Sequence, residues 1–454
     1  MARKNTFVCQ GCGYESPKWL GKCPDCGNWN SFLEEESTSL RSVIKKSKNK
    51  GKTSAPVRLS EIEVTKKDRI LTQIEELDRV FGGGIVRGSL TLIGGAPGIG
   101  KSTITLQMAN YLSPNYKVLY ISAEESASQL KMRARRLGIN SENIYILIEN
   151  RFEAISESLN DIKPDIVIVD SVQTIYLEEI KSTPGSVTQL REITFKFMNY
   201  SKKYNFTTIM IGHITKDGAI AGPKVLEHMV DTVLYFEGDK NGYLRILRSI
   251  KNRFGATNEI GIFEMMSKGL KEVKNPSLLF VSLGENKTPG SALIPIMEGT
   301  RPIMIEVQAL IIKTEYQMPK RTIVGFDHKR ISMLLAILDK YLHLKFATSD
   351  VFVNIVGGLK VDETAVDLGV MAALISNFLD VSLPSSVAFI GEVGLNGEVR
   401  GITFIENRVK ELEKLGIEEV VIAKNNLLPL KNLDLKIQVI PLSHITDLMR
   451  YING

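Results

Sequence analysis

The residues with the plainest chemical purpose are eight in a row, Gly95-Ala96-Pro97-Gly98-Ile99-Gly100-Lys101-Ser102, which fit G-x-x-x-x-G-K-[ST] between a strand-like apolar run and a helical one. Glycines at these spacings let backbone N–H groups wrap a phosphate chain, and a helix starting there adds the positive end of its dipole. Lys101 then reaches the β- and γ-phosphates, and Ser102, followed by Thr103, meets the accompanying Mg²⁺. The expected ligands are ATP and Mg²⁺. Asp170 closes the apolar run Ile166-Val167-Ile168-Val169, where a carboxylate can hold a Mg²⁺-bound water. Glu124 and Glu125 follow another apolar run, where one carboxylate can polarise an attacking water. The other reading for either is an acid at a helix start that complements the dipole.

All four cysteines fall within the first 26 positions, as Cys9-Gln10-Gly11-Cys12-Gly13 and Cys23-Pro24-Asp25-Cys26-Gly27, with ten residues between the pairs. Glycine beside each pair lets the backbone turn and aim N–H groups at thiolate sulfur. Two such knuckles supply four soft ligands in a tetrahedron, so Cys9, Cys12, Cys23 and Cys26 are the expected ligands of a closed structural Zn²⁺ site. Disulfides are disfavoured in a reducing cytosol. A module this small draws its folding energy from the metal. Trp19 and Trp29, the two tryptophans of the chain, also lie here. They are expected to form a miniature core; the alternative is a stacking surface for a base or a partner.

The elements that must hold these groups are legible as a pattern. Short apolar runs at 89–94, 117–122, 165–170 and 206–212 alternate with helical stretches such as 102–112. That is the signature of a parallel α/β sheet with strands buried on both faces. Ahead of it, 37–60 holds no acid but carries Arg41, Lys45, Lys46, Lys48, Lys50, Lys52 and Arg58, a basic tether with a non-specific attraction to phosphates. Beyond about residue 275, strand-like runs alternate with helices at 328–343 and 365–379. The expected layout is a zinc ribbon-like module over 1–35, a linker over 36–58, a P-loop α/β ATPase over 59–274 and an α+β domain over 275–454.

The 454 residues, 43% hydrophobic and 24% charged with a formal charge of +6, have globular rather than disordered composition. The mild positive charge permits a nucleic-acid partner without requiring one. No apolar signal core follows the first residues and no run is long and apolar enough to span a bilayer, so the expectation is a soluble cytoplasmic protein without a membrane partner.

Gly82-Gly83-Gly84-Ile85-Val86-Arg87-Gly88 before the phosphate loop, and Glu124 after the next strand, resemble the RecA/DnaB superfamily. Lys251-Asn252-Arg253-Phe254-Gly255 resembles the signature of the RadA (Sms) family of bacterial DNA-repair proteins. A four-cysteine module in front and a Lon protease-like domain behind extend the resemblance over essentially the whole chain. It implies a RecA-like core in which Lys101, Ser102 and Asp170 serve nucleotide and Mg²⁺, and it selects Glu124 over Glu125 as the catalytic glutamate. It puts His213 at the polar sensor of the γ-phosphate, the alternative being a structural histidine. Lys251 and Arg253 would reach the neighbouring subunit's nucleotide in a ring, with a hexamer expected; the alternative is a basic surface hairpin. Lys216 and Lys224, in a glycine-containing stretch, would contact single-stranded DNA unless the stretch is a plain surface loop. The implied function is a DNA-dependent ATPase of helicase type in recombinational repair. It would translocate on single-stranded DNA and migrate branches in branched DNA with the RecA recombinase. An ATP-dependent protease and a nucleotide-switched DNA scaffold are the alternatives.

The protease alternative turns on two positions. Val356-Gly357-Gly358-Leu359-Lys360-Val361-Asp362-Glu363-Thr364-Ala365 resembles the Lon segment that carries the nucleophilic serine, with Ala365 in the serine's place. The stretch from Gly397 to Ile417 resembles the segment of the lysine base, with Glu406 in the lysine's place. Serine–lysine catalysis needs a hydroxyl beside a neutral amine, and a methyl group and a carboxylate supply neither. The purified chain is therefore expected to leave casein intact with or without ATP, and cleavage in that assay would overturn the alignment.

Overall fold

The computed structural model describes residues 5–9, 14–25, 27, 29–36, 58, 60, 69–212, 223–238, 244–281, 288–314, 319–357 and 359–454. The chain divides into two units, Met1–Gly238 with Gly242–Glu272 and Asp239–Asn241 with Val273–Gly454.

The first unit begins with β1 (Asn5–Cys9), β2 (Glu15–Ser16) and β3 (Phe32–Glu36), paired antiparallel in the order β2-β1-β3. Cys9, Cys23 and Phe32 form the core of this module, with Phe7 and Leu20 packed on it. The expected tryptophan core is wrong: Trp19 is 51% exposed and Trp29 is 70% exposed. An indole carries about 150–250 Å² of surface, more than so small a module can enclose. The Lys22 ammonium lies over the Trp29 ring instead, 5.5 Å from its centre.

The larger part of this unit follows as β4 (Arg69–Ile70), α1 (Glu75–Val80), β5 (Ile85–Val86), β6 (Leu90–Gly95), α2 (Lys101–Leu112), β7 (Val118–Ser122), α3 (Ala127–Arg136), β8 (Ile144–Ile148), α4 (Phe152–Ile162), β9 (Ile166–Asp170), α5 (Val187–Tyr204), β10 (Thr207–Ile211), α6 (Pro223–Met229), β11 (Thr232–Gly238), β12 (Leu244–Asn252), β13 (Ile260–Met266) and β14 (Gly269–Glu272). Among the described residues, nine of these strands form one sheet in the order β14-β13-β12-β11-β6-β10-β9-β7-β8. From β11 to β8 the neighbours run parallel, as the alternating pattern predicts. β12, β13 and β14 add an antiparallel extension that the pattern did not announce. The links between these strands are a few residues long, whereas a parallel return takes a dozen or more, so they can close only as hairpins.

Side-chain alternation divides this sheet into two faces. Ile93, Val118, Tyr120, Ile166 and Ile168 pack with Ile104, Leu106, Met108 and Leu112 of α2 and with Leu130 of α3. Leu90, Leu92, Leu119, Ile121, Val167 and Val169 pack with residues of α4, α5 and α6. A period of two therefore sends Asp170, two residues past Ile168, to the face that carries α2.

The second unit consists of β15 (Ser291–Glu298), β16 (Arg301–Lys313), β17 (Arg321–Val324), α7 (His328–Leu342), β18 (Ser349–Ile355), α8 (Asp367–Leu379), β19 (Val387–Ile390), β20 (Glu392–Val393), β21 (Val399–Arg400), α9 (Ile405–Lys414), β22 (Glu419–Ala423), α10 (Leu427–Leu430), β23 (Gln438–Leu442) and α11 (Ile445–Asn453). Among the described residues its main sheet runs β17-β18-β16-β15-β19-β22-β23, mixed parallel and antiparallel. α8 is almost wholly buried, which fits its apolar sequence on all sides. Ala365 is buried in a turn of 3₁₀-helix just before α8.

The α9 residue that meets this turn is Arg408, not Glu406. Arg408 is 1% exposed, holds the Glu363 carboxylate with its two terminal guanidinium nitrogens at 2.5 and 3.0 Å, and also donates to the Pro295 carbonyl at 2.6 Å. On an α-helix two residues differ by roughly 200° of rotation, so position 406 points away from the face that 408 presents. Breaking one side of a buried ion pair strands the other charge, so Glu363→Gln should destabilise this unit by about 3 kcal/mol while Glu363→Gln with Arg408→Met recovers most of that loss. Calorimetric melting of the full-length chain reads both, and a Glu363→Gln transition superimposable on wild type would contradict the assignment.

Candidate functional site

β6 enters the phosphate loop from the middle of the sheet, and α2 leaves it. Gly95 sits at φ +148°, and a Cβ there would come 2.7 Å from the Phe236 carbonyl oxygen, so only glycine fits. Gly100 precedes the first residue of α2, with no side-chain cap and no acid in the first turn. The N–H groups of that turn therefore converge on the loop together with the positive end of a 12-residue helix. Lys101 is 3% exposed and folds back so that Nζ donates to the carbonyls of Gly95 at 2.8 Å and Ala96 at 2.9 Å. Burial pushes its ammonium down to about 8, against the opposing pull of Asp170 and Glu124. A ring of N–H donors round a buried ammonium fits a polyphosphate. Ser102, Thr103 and the loop residues Pro97, Gly98 and Ile99 complete the segment, and Arg245 of β12 donates Nε to the Ile99 carbonyl at 3.0 Å.

The carboxylates gather at the ends of β7 and β9, whose register pairs Ser122 with Asp170. The hydroxyl of Tyr120 donates to Oδ2 of Asp170 at 2.6 Å. Burial, reinforced by the Asp170 charge, raises the Tyr120 phenol well above its ordinary value. The Ser171 hydroxyl donates to Glu124. Glu125 turns elsewhere, into an ion pair with Arg133 of α3. Lys101, Asp170 and Glu124 are thus brought together, and Glu125 is not among them. Two carboxylates beside a hydroxyl-bearing loop form a hard-oxygen donor set that fits Mg²⁺.

Lys251 and Arg253 lie elsewhere. β12 pairs Lys251 with Val233, and β11 pairs Val233 with Leu92, three residues before Gly95 on β6. That is about 10 Å short of the phosphate loop along the strands, and Arg253 lies further still. Lys251 Nζ donates to the carbonyls of Glu227 at 2.7 Å, Val230 at 2.9 Å and His228 at 3.3 Å, holding the C-terminal end of α6. Arg253, half exposed, pairs with Asp231 at 3.2 Å, whose other carboxylate oxygen accepts from the backbone of Leu90 at 3.0 Å. The rest of the motif is structural: Asn252 donates to the Phe81 carbonyl at 3.1 Å. Gly82 and Gly255 approach so closely that a Cβ on either would lie 3.0 Å from the other's Cα.

Cys9 and Cys23 are both buried in one cluster and are not joined in a disulfide, a soft donor pair suited to zinc. Cys12, Cys26, His213, Lys216 and the side chain of Lys224 lie outside the described residues. Sequence reasoning missed Tyr120, Ser171 and Arg245. Only Ser171, adjacent to Asp170, carried a positional hint.

Fold and site together define a RecA-like P-loop ATPase with a zinc ribbon ahead of it and a Lon protease-like domain behind. Comparison with known proteins agrees. A family model described as "ATPase: KaiC" matches residues 70–146 and 146–258, "Rubredoxin metal binding domain" matches 7–34, and "Subunit ChlI of Mg-chelatase" matches 311–426. The chain is 48% identical to DNA repair protein RadA of Bacillus subtilis (strain 168), covering 93% of each. It is 48% identical to that of Halalkalibacterium halodurans, covering 94% of each, and 47% identical to that of Listeria monocytogenes, covering 93% of each. The chain belongs to the RadA family of DNA repair proteins. A solved KaiC-like protein of Pyrococcus horikoshii OT3 is 19% identical, covering 45% of this chain and 98% of that one with a TM-score of 0.39. Among the described residues no helix is long and apolar enough to cross a membrane.

The buried lysine gives nucleotide binding a pH signature. A bound triphosphate favours the ammonium form, so affinity is full below about pH 8 and falls as pH rises through it, because the neutral amine must then take up a proton. Titration with a fluorescent ATP analogue should show affinity dropping by up to about tenfold per pH unit above that point. Lys101→Arg, whose guanidinium stays charged, should flatten the profile. A flat wild-type profile would contradict the reading.

Proposed function

We propose that the chain is a DNA-dependent ATPase motor that moves along single-stranded DNA and extends branches in branched recombination intermediates together with the RecA recombinase. In this reading the backbone from Gly95 to Gly100 cradles the phosphates with Thr103 beside them, Lys101 neutralises the β- and γ-phosphates, and Ser102 and Asp170 would hold bound Mg²⁺, which would supply charge neutralisation for phosphoryl transfer. Glu124 polarises the attacking water and His213 senses the γ-phosphate. Support for Glu124 over Glu125 comes from the company each keeps: Ser171 and the Lys101–Asp170 cluster for the first, Arg133 for the second.

The observation that carries the motor reading is the position of Lys251 and Arg253 away from the chain's own phosphate loop. A basic pair held there can serve a nucleotide only across a subunit boundary, which calls for a ring, and six subunits are the number the superfamily resemblance suggests. An arginine supplied in trans would make each hydrolysis event depend on a neighbour's position. Lys216 and Lys224 would contact DNA phosphates in the channel, with Cys9, Cys12, Cys23 and Cys26 holding zinc in a module at the front. The domain from about 275 to 454 would serve as a platform for assembly and DNA contact in the cytoplasm.

The decisive measurement is ATP hydrolysis with and without single-stranded DNA for wild type, Lys101→Ala and Glu124→Gln. Strong stimulation by DNA in wild type is expected, with no hydrolysis in Lys101→Ala. Glu124→Gln should lose at least about a hundredfold in turnover while still binding nucleotide. Hydrolysis indifferent to DNA would sink the motor reading and leave only the phosphate site standing.

A further inference from the structure

We propose that Tyr120 is a positioning residue for the metal carboxylate: its hydroxyl, donated to Asp170, sets the orientation in which that carboxylate meets the Mg²⁺ shell. The inference rests on the reading above that Asp170 serves Mg²⁺. Tyr120 lies in the middle of β7 and is 0% exposed, and its Oη stands 2.6 Å from Oδ2 of Asp170. The register sets Tyr120 opposite Ile168 and Ser122 opposite Asp170, so the phenol reaches diagonally, two residues along the neighbouring strand. An aromatic side chain is long enough for that diagonal.

Packing alone does not require the oxygen. The ring belongs to the apolar cluster of Val118, Ile104, Leu106, Ile166 and Ile168, where phenylalanine would bury the same hydrocarbon without a polar atom to satisfy. Its hydroxyl instead serves the nucleotide site. It bonds to the carboxylate that ends β9, two residues further along that strand than Tyr120's own register partner. Ser171, also 0% exposed, plays the corresponding part for Glu124. Each of the two neighbouring carboxylates is thus held by its own buried hydroxyl, one for the metal and one for the water.

The test measures nucleotide binding rather than turnover. Binding of a fluorescent ATP analogue to the full-length chain is titrated with Mg²⁺, and in parallel measured in excess chelator, for wild type, Tyr120→Phe, Ser171→Ala and Asp170→Asn. Tyr120→Phe should bind nucleotide in chelator as wild type does, which also certifies its fold. Its half-saturating Mg²⁺ should rise about tenfold, the lower end of the usual effect of losing an outer-shell partner. Ser171→Ala should keep the wild-type Mg²⁺ midpoint, and Asp170→Asn should lose the Mg²⁺ effect. A Tyr120→Phe midpoint equal to wild type, with Asp170→Asn impaired, overturns the role of Tyr120 alone. An Asp170→Asn midpoint equal to wild type overturns the assignment of Asp170, and this inference with it. A second reading uses the unmutated ring: the Tyr120 hydroxyl proton should give a downfield resonance that Mg²⁺–nucleotide shifts and Asp170→Asn removes. A resonance indifferent to the metal overturns the proposal even if the Phe variant does not fold.

Discussion

The arrangement of the ATPase unit depends on keeping one ammonium group buried and charged. Lys101 is nearly inaccessible, and removing a charge from water costs several kcal/mol unless the surroundings replace its hydration. Here the replacement is two loop carbonyls at close range and two carboxylates further off. The carbonyls exist in the right place because Gly95 and Gly100 allow the loop its left-handed turns. The carboxylates exist in the right place because β7 and β9 are adjacent, parallel and in register, ending together at Ser122 and Asp170. The incomplete compensation is visible in the lowered proton affinity of the lysine. Such a group is poised to gain when a polyphosphate arrives, since the ligand supplies the negative charge that the resting site only partly provides.

A second polar hub lies at the other end of β6 and ties the phosphate strand to the family signature. Asp231 accepts the backbone N–H of Leu90, the first residue of β6, with one oxygen and pairs with Arg253 through the other. Lys251, two residues earlier, closes the C-terminal end of α6, satisfying carbonyls that a helix end otherwise leaves to solvent. Asn252 and Gly255 lock the same turn onto Phe81 and Gly82. Every residue of Lys251-Asn252-Arg253-Phe254-Gly255 except Phe254 therefore has an identifiable side-chain or steric task inside its own chain, and Phe254 takes part through its backbone. Any displacement of Arg253 or Lys251 toward a neighbour's nucleotide would tug on the root of β6 and on α6. That coupling is a property of the hydrogen-bond pattern and does not need a long pathway of side chains.

How far the sequence alone could lead depended on how local the physics was. The phosphate loop is dictated by glycine stereochemistry and a strand-to-helix junction, both contiguous in sequence, so it could be placed to the residue. The parallel strands showed as apolar runs because they are buried on both faces. The antiparallel β12–β14 extension did not, since its half-buried residues lack a distinctive run. Tyr120 was invisible because its partner lies 50 residues away and its identity as anything more than a core aromatic emerges only from strand register. The tryptophans misled for the opposite reason: hydrophobic residues in a small module suggest a core, yet the volume was already taken by the thiols and Phe32. Arg408 went unseen because its partner Glu363 lies 45 residues away, and the pairing emerges only once α9 is laid against the turn ahead of α8.

The Arg408–Glu363 contact bears on the expectation that this domain lacks peptidase chemistry. The group that α9 brings to Glu363 is a guanidinium, which stays protonated in proteins and cannot act as the neutral amine of a serine–lysine pair. Its charge is spent on Glu363, two residues before Ala365, in a buried bidentate contact. A base would need to give and take a proton at that place; a bidentate ion pair does the reverse, fixing the charges and joining α9 to the turn ahead of α8. The Arg408–Glu363 contact thus acts as a structural fastening between α9 and the turn ahead of α8.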